Sequence, residues 1–162
     1  MNFEDIVEVI PGIYIGSIRA VNLAPKYNID FIVNLSGSLY TSPIPTLNIQ
    51  IDDKTIIFDQ IEIYFRKFCM AVGSIEKCLK NGEKILVHCQ AGVNRCATAI
   101  ALYMLGIGYT YDKAIHLLTV ANSKRDTVVL TNPTFRALIK GFEQSLKFQE
   151  YKRDLLGVPG VC

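Results

Sequence analysis

The sequence has little that resembles a membrane-spanning, secretory or lipid-anchoring segment, so neither insertion nor export is expected. No apolar stretch in its 162 residues approaches the ~20 needed to span a bilayer. The opening MNFEDIVEVI carries acids where a secretory signal carries base, so export is not expected. Residue 2 is Asn2, not the glycine that myristoylation requires, and Cys162 is the last residue rather than part of a prenylation box. An excess of one charge is missing too. Seventeen Lys and Arg against fifteen Asp and Glu leave a net +2, too little to draw a nucleic acid or an anionic membrane. The five cysteines, Cys69, Cys78, Cys89, Cys96 and Cys162, are odd in number and sit mostly in apolar patterns. That favours free thiols in a reducing compartment over a disulfide framework. No internal repeat, low-complexity tract, flexible linker or cluster of metal ligands interrupts the chain.

What is present reads as one globular domain over 1–162, long enough to bury a real core. Apolar residues make up 50% and charged residues 20%, an ordinary balance for a folded chain. Short β-branched and aromatic runs at Gly12–Ser17, Ile29–Ser36 and Leu47–Ile51, with the buried run ILVH before Cys89, predict strands. Apolar residues at helical spacing (Ile61, Phe65, Phe68, Val72, Ile75) predict a helix from Phe58 to Leu79, with Gly82 as its C-cap. Further helices are expected over Ala97–Leu105, from Thr110 through TYDKAIHLLTVANS, and from an Asn132–Pro133 cap to about Leu146. Strands interleaved with helices predict an α/β fold on a mostly parallel sheet.

One stretch stands apart. KILVHCQAGVNRCATAIALYML, Lys84 to Leu105, ends an apolar strand in His-Cys and reaches Arg95 six residues later, where helical spacing resumes. A thiol is a poor nucleophile until ionised. At the end of a strand, facing the start of a helix, Cys89 meets the positive end of the helix dipole and the inward amides of the turn. The same turn makes a nest of N–H donors for a tetrahedral dianion from Gln90, Ala91, Gly92, Val93 and Asn94. Gly92 supplies the backbone freedom, and Arg95 a planar fork that matches two phosphate oxygens. Alone, a strand-terminal cysteine is ordinarily a small buried hydrophobe. A chance match to His-Cys-x-x-Gly-x-x-Arg in a chain this long is roughly one in several thousand at average residue usage.

The stretch VHCQAGVNRCAT resembles the signature loop of the cysteine-based protein phosphatases, in particular the small dual-specificity class of cells and large DNA viruses. AGVNR is especially similar to the poxvirus-type enzymes. IVEVIPGIYIGSIRAVN, IDFIVNLS and SKRDTVVLTNPTFRALI resemble that family's opening strand, second strand and closing helix region, so the likeness covers about 6–148, with a short C-terminal tail beyond. It implies a tyrosine-phosphatase-like sheet of about five strands flanked by helices. It also implies hydrolysis of phosphotyrosine and phosphoserine or phosphothreonine in proteins through a phosphocysteine. No metal, cofactor, nucleic acid or membrane is expected. A monomer or weak homodimer is, in the cytoplasm, the nucleus or, for a viral chain, the virion.

The leaving oxygen needs a proton, and the loop holds no acid. Asp53, after the third strand, occupies the family's general-acid position when Ile49 and Ile51 are set inward, with Asp52 as the alternative and Asp59 as a weaker candidate. The likeness gives His88 a role in orienting the loop and tuning the thiolate. Asn132 is read as a cap that also braces the loop. Where the family has Ser or Thr after the arginine, this chain has Cys96. A thiol is a weaker donor, so Cys89 is expected to ionise less readily than with a serine there. Cys96 is also placed to form a protective disulfide with Cys89. His116 reads as a packed histidine, and Arg125 as either bordering the site or lying in a solvated turn. Two other activities stay open, a phosphatase of RNA 5′ ends or of phosphoinositides and a catalytically weak phosphate-binding module. Against them stand the lack of a basic stripe, the absence of lysine among Gln90, Ala91, Val93 and Asn94, and the presence of both nucleophile and arginine.

Overall fold

A computed structural model describes residues 4–156, with side chains through Glu150. Five strands form one sheet: β1 (Ile6–Ile10), β2 (Ile13–Gly16), β3 (Phe31–Asn34), β4 (Thr46–Asn48) and β5 (Ile85–His88), in the spatial order β1-β2-β5-β3-β4. The three central strands run parallel and, apart from half-buried Phe31, are buried along their length, as strands covered on both faces must be. β4 adds to β3 in parallel, and β1 pairs β2 antiparallel. The segment that the family likeness assigns to an opening strand is therefore a hairpin, turning at Pro11 and Gly12.

Period-two alternation divides the sheet's side chains between two cores. Tyr14, Ile32 and Leu86 face a small layer with Ala20 and Ala24, from helix α1 (Ala20–Leu23) and the turn after it. Ile13, Ile15, Val33, Ile85 and Val87 face the main core, built by α2 (Ile61–Lys80), α3 (Arg95–Gly106), α4 (Tyr111–Ser123) and α5 (Pro133–Leu156). α3 is buried from Cys96 to Leu105 and forms the centre of the helical layer. It begins at Arg95, two residues before its expected start.

Some expectations shift in detail. The helix expected from Phe58 opens as a single 3-10 turn, Phe58–Gln60, before α2. The buried stripe of α2 is Tyr64, Phe68, Ala71, Ile75 and Cys78. Ile61 is exposed, while Phe65 and Val72 are half-buried at the edge, Phe65 against Phe142 with ring centroids 5.5 Å apart. β4, where a strand is expected over Leu47–Ile51, is three residues long, yet Ile49 and Ile51 beyond it turn into the core as expected. α5 continues through Leu156, ten residues past the expected end near Leu146, and no proline or glycine interrupts residues 147–156. Cys69 is exposed on α2. His116 is exposed on α4, whose buried positions are Ala114, Leu118, Ala121 and Asn122. Cys162 lies outside the described residues.

Candidate active site

β5 delivers His88 and Cys89 to the C-terminal edge of the sheet, and residues 89–94 curl back before α3 begins. Gly92 adopts φ +71, and a Cβ there would meet Arg125 Nη2 at 2.2 Å and the Gly16 backbone at 2.7 Å. Only glycine fits so tight a bend. Three loop carbonyls turn outward. Gln90 O accepts from Ile18 N (3.2 Å), Gly92 O from Arg125 Nη1 (3.0 Å) and Val93 O from Leu130 N (2.9 Å).

Cys89 is 2% exposed, which by itself would keep its thiol protonated. It is nevertheless drawn down to about 5. The largest cause is a hydrogen bond from the Cys96 thiol, whose sulfur lies 3.4 Å away. Burial opposes it, and the Cys96 amide, the Arg95 charge and the Val93 amide add to it. Burial, then the neighbouring Cys89, push Cys96 well above the ordinary thiol range, so Cys96 keeps its proton and donates.

Arg95 Nη1 donates to Ser36 O (3.2 Å) and Ile51 O (2.9 Å), carbonyls just beyond β3 and β4. Its Nε is buried with no acceptor among the described residues, a donor that suits an anionic oxygen. His88 is fully buried. Its Nδ1 lies 3.0 Å from Cys89 O, which can only accept, so Nδ1 carries the proton and Nε2 accepts from Tyr40 Oη at 2.7 Å. Burial lowers the His88 pKa and pushes Tyr40 up to about 12, so both stay neutral and keep that arrangement.

Asp53 joins this loop from the far side. Its Oδ2 accepts from Asn94 Nδ2 and its Oδ1 from Asn132 Nδ2, both at 3.0 Å. Asn132 N donates in turn to Asn94 Oδ1 (2.9 Å), while Asn132 Oδ1 caps α5 by accepting from Thr134 N and Phe135 N. Asp52 is exposed and makes no side-chain hydrogen bond or ion pair among the described residues; Asp59 is exposed at the 3-10 turn. No group of three or more His, Cys, Asp or Glu converges among the described residues.

The dual specificity phosphatase catalytic domain family matches residues 13–145. The chain belongs to it. This phosphatase is 29% identical over 135 residues to the dual specificity protein phosphatase OPG106 of Variola virus, covering 81% of this chain and 78% of that one. It is 25% identical over 154 residues to rat dual specificity protein phosphatase 15, covering 93% of this chain and 63% of the rat protein. Its fold superposes on the crystal structure of human DUSP28 with a TM-score of 0.73 at 21% identity, covering 89% of this chain and 96% of that one. The family makes this phosphatase a phosphoric monoester hydrolase that acts on phosphorylated proteins.

Within the phosphatase, Cys89, Gly92, Val93, Asn94, Arg95 and His88 come together as the motif implies. Asn132 is both cap and brace. Gln90 and Ala91 form the exposed rim, where Gln90 Oε1 accepts from Ser38 Oγ (3.2 Å). Arg125 is not in a solvated turn. It is 6% exposed, paired with Asp5 at 2.6 Å and packed behind Gly92. Sequence reasoning missed Tyr40, which looked like any residue of a loop, and the distant Asp5, whose only signal was an acid just before an apolar run.

Proposed function

We propose that this phosphatase hydrolyses phosphotyrosine and phosphoserine or phosphothreonine in proteins with Cys89 as nucleophile, Arg95 and the loop amides as anion binders, and Asp53 as general acid. The observation that supports it best is the buried Cys89 sulfur facing the Val93 and Cys96 amides and the Cys96 thiol 3.4 Å away, beside an arginine whose buried Nε has no acceptor among the described residues. The thiolate attacks phosphorus, the P–O bond to the substrate breaks, and Asp53 gives its proton to the departing oxygen. Water then attacks the phosphocysteine, Asp53 takes a proton from it, and the sulfur leaves as thiolate. Charge grows on the equatorial oxygens in both steps, where the amides and guanidinium already point and need no reorganisation.

Asp53 is preferred over Asp52 because the side-chain amides of Asn94 and Asn132 hold its carboxylate beside the loop, whereas the Asp52 carboxylate has no such partner among the described residues. We place the enzyme in the cytoplasm, acting as a monomer or weak homodimer. A panel of phosphopeptides, RNA 5′-triphosphate and phosphoinositides tests the substrate class. Turnover confined to phosphopeptides is expected, with release of phosphate from both phosphotyrosine and phosphothreonine. Preference for either polyanion overturns it.

A further inference from the structure

The loop that receives phosphate owes its inward amides to three outward carbonyls, and two of these are held by backbone N–H groups of Ile18 and Leu130. The third, Gly92 O, is held by a side chain, that of Arg125. In a trans peptide the C=O and the following N–H point in opposite directions. Fixing Gly92 O outward therefore aims the Val93 amide inward, where it meets the Cys89 sulfur.

We propose that Arg125, anchored by Asp5, is a positioning residue of this phosphatase: it locks the Gly92–Val93 peptide so that the Val93 amide faces the nucleophile and the bound phosphate. Arg125 is itself fixed from two sides. Its Nε and Nη2 donate to Asp5 Oδ1 at 2.9 and 2.6 Å, and its Nη1 also donates to Asn122 Oδ1 at 2.6 Å. Asp5 Oδ2 accepts from Ser17 Oγ, which ties the pair to the end of β2. With its side chain about 1% exposed, the guanidinium has no room to sample other acceptors. The clamp joins the start of β1, the end of β2 and the C-terminus of α4 to one peptide of the loop.

This role rests on Cys89 being the nucleophile, and the test separates the two ideas. Cys89 alkylation by iodoacetamide is followed against pH, and orthovanadate inhibition is measured, in the wild type, Arg125→Met and Asp5→Asn. The charged and titratable groups facing Cys89 are His88, Arg95 and Cys96, with the Arg125–Asp5 pair behind Cys96. Arg125→Met is expected to raise the alkylation midpoint and weaken orthovanadate about tenfold, the effect of one misaligned donor to a charged group.

Asp5→Asn decides between positioning and plain charge. It removes a negative charge, so electrostatics alone would favour the thiolate and tighten orthovanadate. A loosened clamp does the reverse, and that reverse shift is the expected result at unchanged circular dichroism. A shift in the electrostatic direction, or none, overturns the proposal, and this variant carries the decision if Arg125→Met does not fold. A wild-type midpoint near the free-thiol value of about 8.5 would instead sink the assignment of Cys89.

Discussion

Residues 88–96 and residues 52–59 meet at one site and are built in opposite ways. In the first stretch His88, Cys89, Asn94 and Cys96 are buried, and loop carbonyls are taken up by neighbouring elements. In the second, Asp52, Asp53, Lys54 and Thr55 are exposed, Ile57 and Phe58 are 56% and 91% exposed, and Ile56 alone is buried. Two amides hold Asp53 itself, and Thr134 Oγ1 holds the Ile56 amide. The contrast follows from the chemistry assigned to each. Stabilising a developing charge rewards donors fixed in advance in a dry setting. Delivering a proton to leaving groups as different as a phenol and an alcohol rewards a carboxyl carried on an open rim.

The most severe break of this contrast falls on the buried side. Cys89→Ser is expected to abolish turnover of a small aryl phosphate while leaving orthovanadate or phosphate binding measurable. Arg95→Lys keeps the charge but loses the fork, and a fall in kcat of about 10²–10³-fold is expected, the scale of one lost transition-state donor. On the open side, Asp53→Asn is expected to lower kcat about 10²–10⁴-fold with alcohol leaving groups, and far less with a nitrophenol that leaves without a proton. Asp52→Asn is expected to leave both substrates untouched; equal losses at the two positions would erase the distinction between them.

Smaller effects sharpen the buried side. Because the native thiol titrates near 5 and a free one near 8.5, the unfolded chain binds more protons between those values. Native stability contributed by Cys89 is thus complete above about 8.5 and lost as pH falls through about 5. Urea melts should show the wild type gaining on Cys89→Ser as pH rises across that window. Cys96→Ser, which restores a stronger donor, is expected to speed phosphocysteine breakdown several-fold in rapid-quench experiments. The 3.4 Å sulfur contact also predicts the fate of oxidised enzyme. Peroxide converts the Cys89 thiolate to a sulfenic acid, and the Cys96 thiol displaces water from it to give a disulfide. Peptide mapping should find that bridge, and activity should return with dithiothreitol; sulfinic Cys89 alone would contradict it.

The buried stretch was also the more legible. Its strand, its bend and its helix start each use a residue type with a narrow physical purpose, and Cys89, Gly92 and Arg95 could be placed from sequence. The register of Ile49 and Ile51 was equally readable, because inward residues alternate. Harder to read were features set by tertiary partners. The stripe of α2 is rotated toward Tyr64 and Ala71 because Phe135 of α5 packs beside Tyr64 and Phe68. Nothing local tells Arg125 that Asp5, 120 positions earlier, will neutralise it. His116 sits between Ile115 and Leu117, and one step around a helix separates core from solvent.

The grip on Arg95 carries a consequence for how the enzyme comes into being. The two carbonyls that hold its guanidinium, those of Ser36 and Ile51, follow β3 and β4, so the parallel pairing of these strands brings both acceptors to one point. A chain in which β4 has not paired with β3 would lack the second of them.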